Sequence, residues 1–173
     1  MKMLTNTVNI DRTFSQPVLS SNGTWGSSAL SCTANWNNST AYQAFDGNAN
    51  TYAGGIDVWG TYNNLVLDIC TKNKININSL SMKVSGNTID IYYSDDNSNW
   101  ILCFNKTGNF SQATVSCDIG GTGLHNYFRF NTKNTAGTAG SQIYEITLDA
   151  TEKAENVTKT SAIKDSGNYY VLS

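Results

Sequence analysis

The chain has 173 residues, of which 39% are hydrophobic and only 14% charged, with a formal net charge of -2 and a pI near 5.2. A chain of this size can bury a full core as one domain, and low charge with abundant Asn, Ser, Thr, Gly and Tyr suits β structure better than helix. No cluster of Lys and Arg supplies the footprint of a nucleic-acid binder, and no apolar run nears the roughly 20 residues of a membrane helix, so neither nucleic acid nor membrane insertion is expected.

Residues 1–27 are polar, with short extended candidates at 7–10 and 14–20. Pro17, the only proline, suits an edge or a loop rather than a central strand. Residues 1–11 hold no apolar run of signal-peptide length. Trp36 stands among Asn residues in 31–38, and the stretch AYQAFDGNANTY follows at 41–52. Asp46, Asn48 and Thr51 can turn their oxygens into one tight loop there, with Gly47 relieving the backbone. Such oxygens suit Ca²⁺, but the residues alone are met as well by an ordinary Asx turn with a solvated Asp. A Gly-rich loop at 53–63 carries Trp59 and Tyr62.

From Asn64 onward strict alternation sets in. Leu65, Leu67 and Ile69 share a face; Ile75, Ile77, Leu80, Met82 and Val84 follow; then Ile89, Ile91 and Tyr93. DDNSN at 95–99 is a turn cluster, and 100–104 resumes the strand pattern. Gly108 and Asn109 predict a turn before a strand at 113–119, and GGTG at 120–123 breaks the chain again. The last clear strands are 127–130 and 142–148, separated by a loop at 134–141. No segment keeps a 3.6-residue period. Short strands punctuated by turns predict an all-β sandwich or jelly roll. After 149 the chain turns polar and charged, ending in a short strand-like piece at 168–173. The expected organisation is an N-terminal extension at 1–27, a sandwich at 28–150 and a C-terminal extension at 151–173.

Cys32, Cys70, Cys103 and Cys117 fit no C-x-x-C metal pattern, and one histidine, His125, cannot complete a usual zinc set. Cys70, Cys103 and Cys117 sit in strand-like segments, where a buried cysteine serves as a small hydrophobe; if any pair is oxidised, it is Cys103 with Cys117, which could face each other across a hairpin. There is no G-x-S-x-G elbow, no H-E-x-x-H and no phosphate loop. Asp95 and Asp96 would point to opposite faces of an extended chain. A non-enzyme is expected.

The order of AYQAFDGNANTY (41–52), NLVLDI (64–69), IDIYYSDDNSNW (89–100), YFRF (127–130) and SQIYEITL (141–148) resembles the discoidin, or coagulation factor V/VIII type C, domains and their relatives the family 32 carbohydrate-binding modules. The resemblance spans about 31–149 and implies a galactose-binding-domain-like jelly roll. Ala53 stands where the family usually has Trp, which puts one core or loop contact in question. The resemblance also implies a structural Ca²⁺ held by the Gln43 carbonyl, Asp46, Asn48, Thr51 and Glu145, with the Tyr144 carbonyl as a sixth donor. It places Arg129 in an ion pair and Trp100 in the core. For a ligand it implies loops at one end of the sandwich that offer an aromatic ring and polar groups to a sugar; the candidates are Trp36, Trp59, Tyr62 and Asn134. The function expected is a non-catalytic carbohydrate-binding or adhesion module for cell-surface or polysaccharide glycans. The alternative is a phage virion structural protein (capsid decoration, fibre or tail component) on the same fold. The terminal extensions would then hold protein partners, with a homo-oligomer among the forms. Either role suits an extracellular surface or a virion.

Overall fold

The computed structural model describes residues 2–8, 11–55, 63–134, 140–153 and 157–163. They form two compact units: residues 13–152, and a second unit made of the two chain ends. The second unit holds a two-stranded antiparallel ribbon in which β1 (Lys2–Val8) pairs with β9 (Val157–Ile163), Thr5 opposite Thr160.

The larger unit is a curled β sheet. Its short pieces are Thr13, the last residue of β2 (Asp11–Thr13), with β3 (Leu30–Ala34) and β4 (Ala53–Gly54); its long ones are β5 (Asn64–Ser94), β6 (Ile101–Asp118), β7 (His125–Lys133) and, as far as Glu152, β8 (Gln142–Lys153). β5 is a continuous extended run that makes three passes. Residues 64–70 lie between β3 and β7, 75–85 lie between β8 and the second half of β6, and 88–94 lie between β7 and the first half of β6. Two facing layers result, as the alternation predicted. Leu65, Leu67, Ile69, Ile89, Ile91, Phe128 and Phe130 fill the gap from one layer; Ile75, Ile77, Met82, Val84, Val115, Ile143 and Ile146 fill it from the other. Period-2 alternation places these side chains inward and leaves the residues between them outside. The 3-10 helix Asn38–Phe45 adds Ala41, Ala44 and Phe45 to the core. Among the described residues no helix is long and apolar enough to cross a membrane.

Three expectations need correcting. The sandwich unit starts at Thr13, not at 28, because Phe14 is buried in the core and its N–H donates to Ala150 O at 2.8 Å. Gln16 extends the pairing with its carboxamide, donating to Ile146 O and accepting from Leu148 N–H, each at 2.8 Å. Pro17 then ends it. At the other end β8 is still paired at Glu152, opposite Ile75.

Second, Gly108–Asn109 is not a hairpin turn. β6 continues through it, pairing 101–107 with one pass of β5 and 113–118 with another. Cys103 therefore donates to Ile91 O at 3.3 Å, while Cys117 lies opposite Leu80. All four cysteines are free, and burial pushes the thiol of Cys32 up to about 12 and those of Cys103 and Cys117 up to about 11.

Third, Trp100 is half-buried on the outer surface. Phe128 and Phe130 point inward, so Arg129 must point outward. It pairs with Asp68 through two bonds of 2.7 and 2.8 Å, and the indole of Trp100 covers the guanidinium at 4.2 Å. The ion pair expected of Arg129 is present.

Candidate functional site

The 3-10 helix ends at Phe45 and delivers Asp46 at its C-cap. Gln43 lies in the last turn of this helix. Gly47 adopts φ 73°, a left-handed conformation that glycine takes without a Cβ penalty. This turns the chain so that Asp46 Oδ1 accepts the Asn48 N–H at 2.8 Å and Oδ2 accepts the Thr51 hydroxyl at 2.7 Å. Asn48 Oδ1 accepts the Asn50 N–H at 3.1 Å. The loop is thus the Asx turn that its residues allowed.

Glu145 enters this turn from β8. Burial and then the charge of Asp46 push its pKa up to about 7, against the opposing pull of the Gly47 and Asn48 backbone amides nearby. Glu145 Oε2 is buried and finds no hydrogen-bond partner. Lys83 sits opposite Glu145 across the ladder, but its amine goes instead to Ala49 O, at 2.8 Å. Two carboxylates therefore converge without a counter-cation among the described residues. Nor do three His, Cys, Asp or Glu side chains meet anywhere among them. An acid pair completed by neutral oxygens is the donor chemistry of a hard cation such as Ca²⁺ rather than of zinc, so these residues fit one. The structure places Asp46, Asn48, Thr51 and Glu145 near one another. The side chain of Tyr144 points elsewhere.

It points into a cleft of about 450 Å³ beside the turn, within the roughly 300–1,000 Å³ range of ligand pockets. Tyr52 and Tyr144, each the chain neighbour of a residue of the turn, form an aromatic wall with Phe110. Five carboxamides line the rest: Asn50, Asn109, Gln112, Asn134 and Gln142. No charged side chain lines it among the described residues. The Tyr144 hydroxyl donates to Gln142 Oε1 at 2.7 Å, which leaves the Gln142 amide hydrogens as donors. Gln112 holds φ 50° at the corner of β6, and its N–H donates to Ser85 Oγ at 3.1 Å. A left-handed non-glycine costs on the order of 1–3 kcal/mol, and such residues cluster at functional sites.

Of the expected ligand residues, Asn134 lines this cleft. Trp36 is half-buried in the bend after β3 and does not line it. Trp59 and Tyr62 lie outside the described residues. Sequence reasoning missed Tyr52, the Tyr144 ring, Phe110 and four of the carboxamides. The available signal was position: the neighbours of Thr51 and Glu145 must share whatever site those two build. Trp25 stacks on Tyr127 with centroids 6.2 Å apart, and His125 stacks on Tyr93 at 4.2 Å while its ring nitrogen meets Thr122 O at 3.0 Å. Both rings brace the fold outside the cleft.

No protein-family model and no curated protein sequence matches the chain. Solved structures of similar β-sandwich fold do. CpGH89CBM32-6, produced by Clostridium perfringens, is similar with a TM-score of 0.55 and 21% identity, covering 69% of this chain and 92% of that one. Chitosan-binding module 1 of a chitosanase/glucanase from Paenibacillus sp. IK-5 gives 0.56 and 15%, covering 76% and 99%. CpGH89CBM32-5 of C. perfringens, solved in complex with GalNAc-β-1,3-galactose, gives 0.53 and 12%, covering 70% and 95%. At these identities the likeness is one of fold: the chain is a β-sandwich of the type used by carbohydrate-binding modules.

Proposed function

We propose that this protein is a non-catalytic glycan-binding module whose ligand sits in the cleft between Tyr52, Tyr144 and Phe110. The observation that carries the reading is the cleft's composition. An aromatic wall suits the apolar face of a pyranose ring, and carboxamides offer both donors and acceptors to its hydroxyls. Among the described residues no charged group lines it to serve as a general acid, base or activated nucleophile. That solved neighbours of this fold carry names such as chitosan-binding module, and include one in complex with GalNAc-β-1,3-galactose, supports the class of ligand. Asp46, Asn48, Thr51 and Glu145, with the carbonyls of Gln43 and Tyr144, are proposed to hold a structural Ca²⁺. Bound there, the ion would neutralise the acid pair and tie the early loop to the last strand of the sandwich.

A single open cleft of this kind binds with Kd of roughly millimolar to micromolar, or about −4 to −8 kcal/mol, so firm attachment to a surface requires several copies. A glycan array that includes GalNAc-β-1,3-galactose, chitosan and pectin oligosaccharides, read in the presence of Ca²⁺, tests the proposal. Retention of at least one glycan, weakened by Tyr52→Ala, is expected. An array without signal on folded protein overturns it.

A further inference from the structure

One side chain touches both the acid turn and the cleft. Lys83, on the second pass of β5, lies directly opposite Glu145. The short route for its amine would be to that carboxylate. It reaches instead into the turn, where Nζ donates to Ala49 O at 2.8 Å, and it stands 5.2 Å from the centroid of the Tyr144 ring. A cation over an aromatic face within about 6 Å is attracted by the ring quadrupole, so the same ammonium is held by the loop on one side and by the cleft wall on the other.

The chain itself supplies two more links. Tyr52 follows Thr51, whose hydroxyl is bound to Asp46, and Tyr144 precedes Glu145. The two rings meet edge-on with centroids 5.4 Å apart. A shift of the 46–51 loop relative to β8 bears directly on the Lys83–Ala49 bond and, through Tyr52, on the Tyr52–Tyr144 contact, and an ammonium that follows Ala49 O changes its place over the Tyr144 ring. The unpartnered, buried Glu145 Oε2 marks where such a shift would be driven.

We propose that Lys83 is a positioning residue that couples the acid turn to the aromatic wall, so that a cation held between Asp46 and Glu145 orders the rings that the cleft presents. Lys83 leaves the acid pair free for the ion by bonding to Ala49 O, and it transmits the loop's position to Tyr144. The inference rests on reading the acid pair as a Ca²⁺ site and the cleft as a ligand site, but its test uses no glycan.

Protein labelled with ¹³C in its tyrosine rings is titrated with Ca²⁺ alone and followed by NMR, with Tyr52→Phe and Tyr144→Phe assigning the signals, while calorimetry follows Ca²⁺ binding itself. The Tyr52 and Tyr144 signals are expected to shift with the midpoint of the calorimetric titration. Lys83→Met should bind Ca²⁺ within about threefold of the parent yet lose the Tyr144 shift, and Lys83→Arg should restore it. Calcium binding that leaves both tyrosines unmoved, or shifts that persist in Lys83→Met, overturns the proposal, as does absence of Ca²⁺ binding. If Lys83→Met does not fold, Lys83→Gln, which can still donate to Ala49 O but carries no charge, is expected to lose the Tyr144 shift and overturns the proposal if it keeps it. Tyrosine shifts in a protein that retains no glycan on the array would support the coupling and count against the glycan reading alone.

Discussion

The ring of Tyr52 meets the ring of Tyr144 edge-on, with centroids 5.4 Å apart and planes inclined at 61°. Edge-to-face contact is a preferred geometry for aromatic pairs and is worth about 0.5–1.5 kcal/mol beyond the area buried. The two rings come from segments far apart in sequence, so the contact closes the cleft as well as lining it. Tyr144 is buried and tied to Gln142, whereas Tyr52 is half-exposed and carries the face open to a ligand.

Tyr52→Ala should therefore act on binding more than on folding. The loss expected is about tenfold in Kd, or about 1.4 kcal/mol, with a small drop in melting temperature. Calorimetry or affinity electrophoresis with a glycan retained on the array measures it. An unchanged Kd would remove the aromatic wall from the site.

Asp68 and Arg129 make a different prediction. Their side chains are 18% and 31% exposed, bidentate, and covered by Trp100. Removing one partner of such a pair strands the other, at a cost of about 2–3 kcal/mol. Asp68→Ala should lower the unfolding free energy from urea titration by that amount, and the double change Asp68→Ala with Arg129→Met should recover part of it. A double variant as unstable as the sum of the singles would show that the pair contributes no coupling.

Alternation made the sandwich legible in the sequence, because both layers alternate about one core: Leu65, Leu67 and Ile69 on one side, Met82 and Val84 on the other. The corner of β6 was not legible. Gly108–Asn109 carries the residues of a tight turn, but Phe110 stays paired with Gly86, where an added Cβ would collide with Thr132 Oγ1. Two strands bend together there, and that depends on a partner more than twenty residues away. Trp100 was misplaced because its core position was carried over from the family resemblance. The inward Phe128 and Phe130 force Arg129 outside and offer the indole a cation to cover. The acid turn shows how little one stretch can decide. Asp46, Asn48 and Thr51 do form the Asx turn that their residues allow, and only the arrival of Glu145, from a strand roughly a hundred residues later, gives the turn a second carboxylate.

Gly54 supplies a third prediction. It holds φ 104°, and a Cβ there would lie 2.6 Å from Ser141 O, between β4 and the start of β8. Gly54→Ala forces both a strained backbone and a displaced carbonyl, for about 1–3 kcal/mol. Because Gly140 and Gln142 flank that carbonyl in the cleft lining, glycan affinity should fall along with the urea midpoint. Full stability in this variant would mean that the close approach is absent.

The last prediction concerns pH and the ion together. Glu145 is pushed from 4.5 to about 7 by burial and by Asp46, so the metal-free native state holds this proton more tightly than the unfolded chain does. By linkage, stability from this group is fully present below about pH 4.5 and is lost as pH rises toward about 7. After allowance for partial exposure the change is roughly 1–2 kcal/mol. Calcium needs the carboxylate ionised, so its binding strengthens over the same window. Thermal melts should therefore show a small stabilisation by Ca²⁺ at about pH 5 and a larger one at about pH 8. In chelator, the parent should lose stability across that interval relative to Glu145→Gln, which keeps the shape but carries no charge. Glu145→Gln should also lose most of the Ca²⁺ effect at about pH 8, where the ionised carboxylate matters most. A parent that gains stability over Glu145→Gln as pH rises in chelator would mean that the carboxylate already has a cationic partner in the protein, and the acid pair would then have no need of an ion.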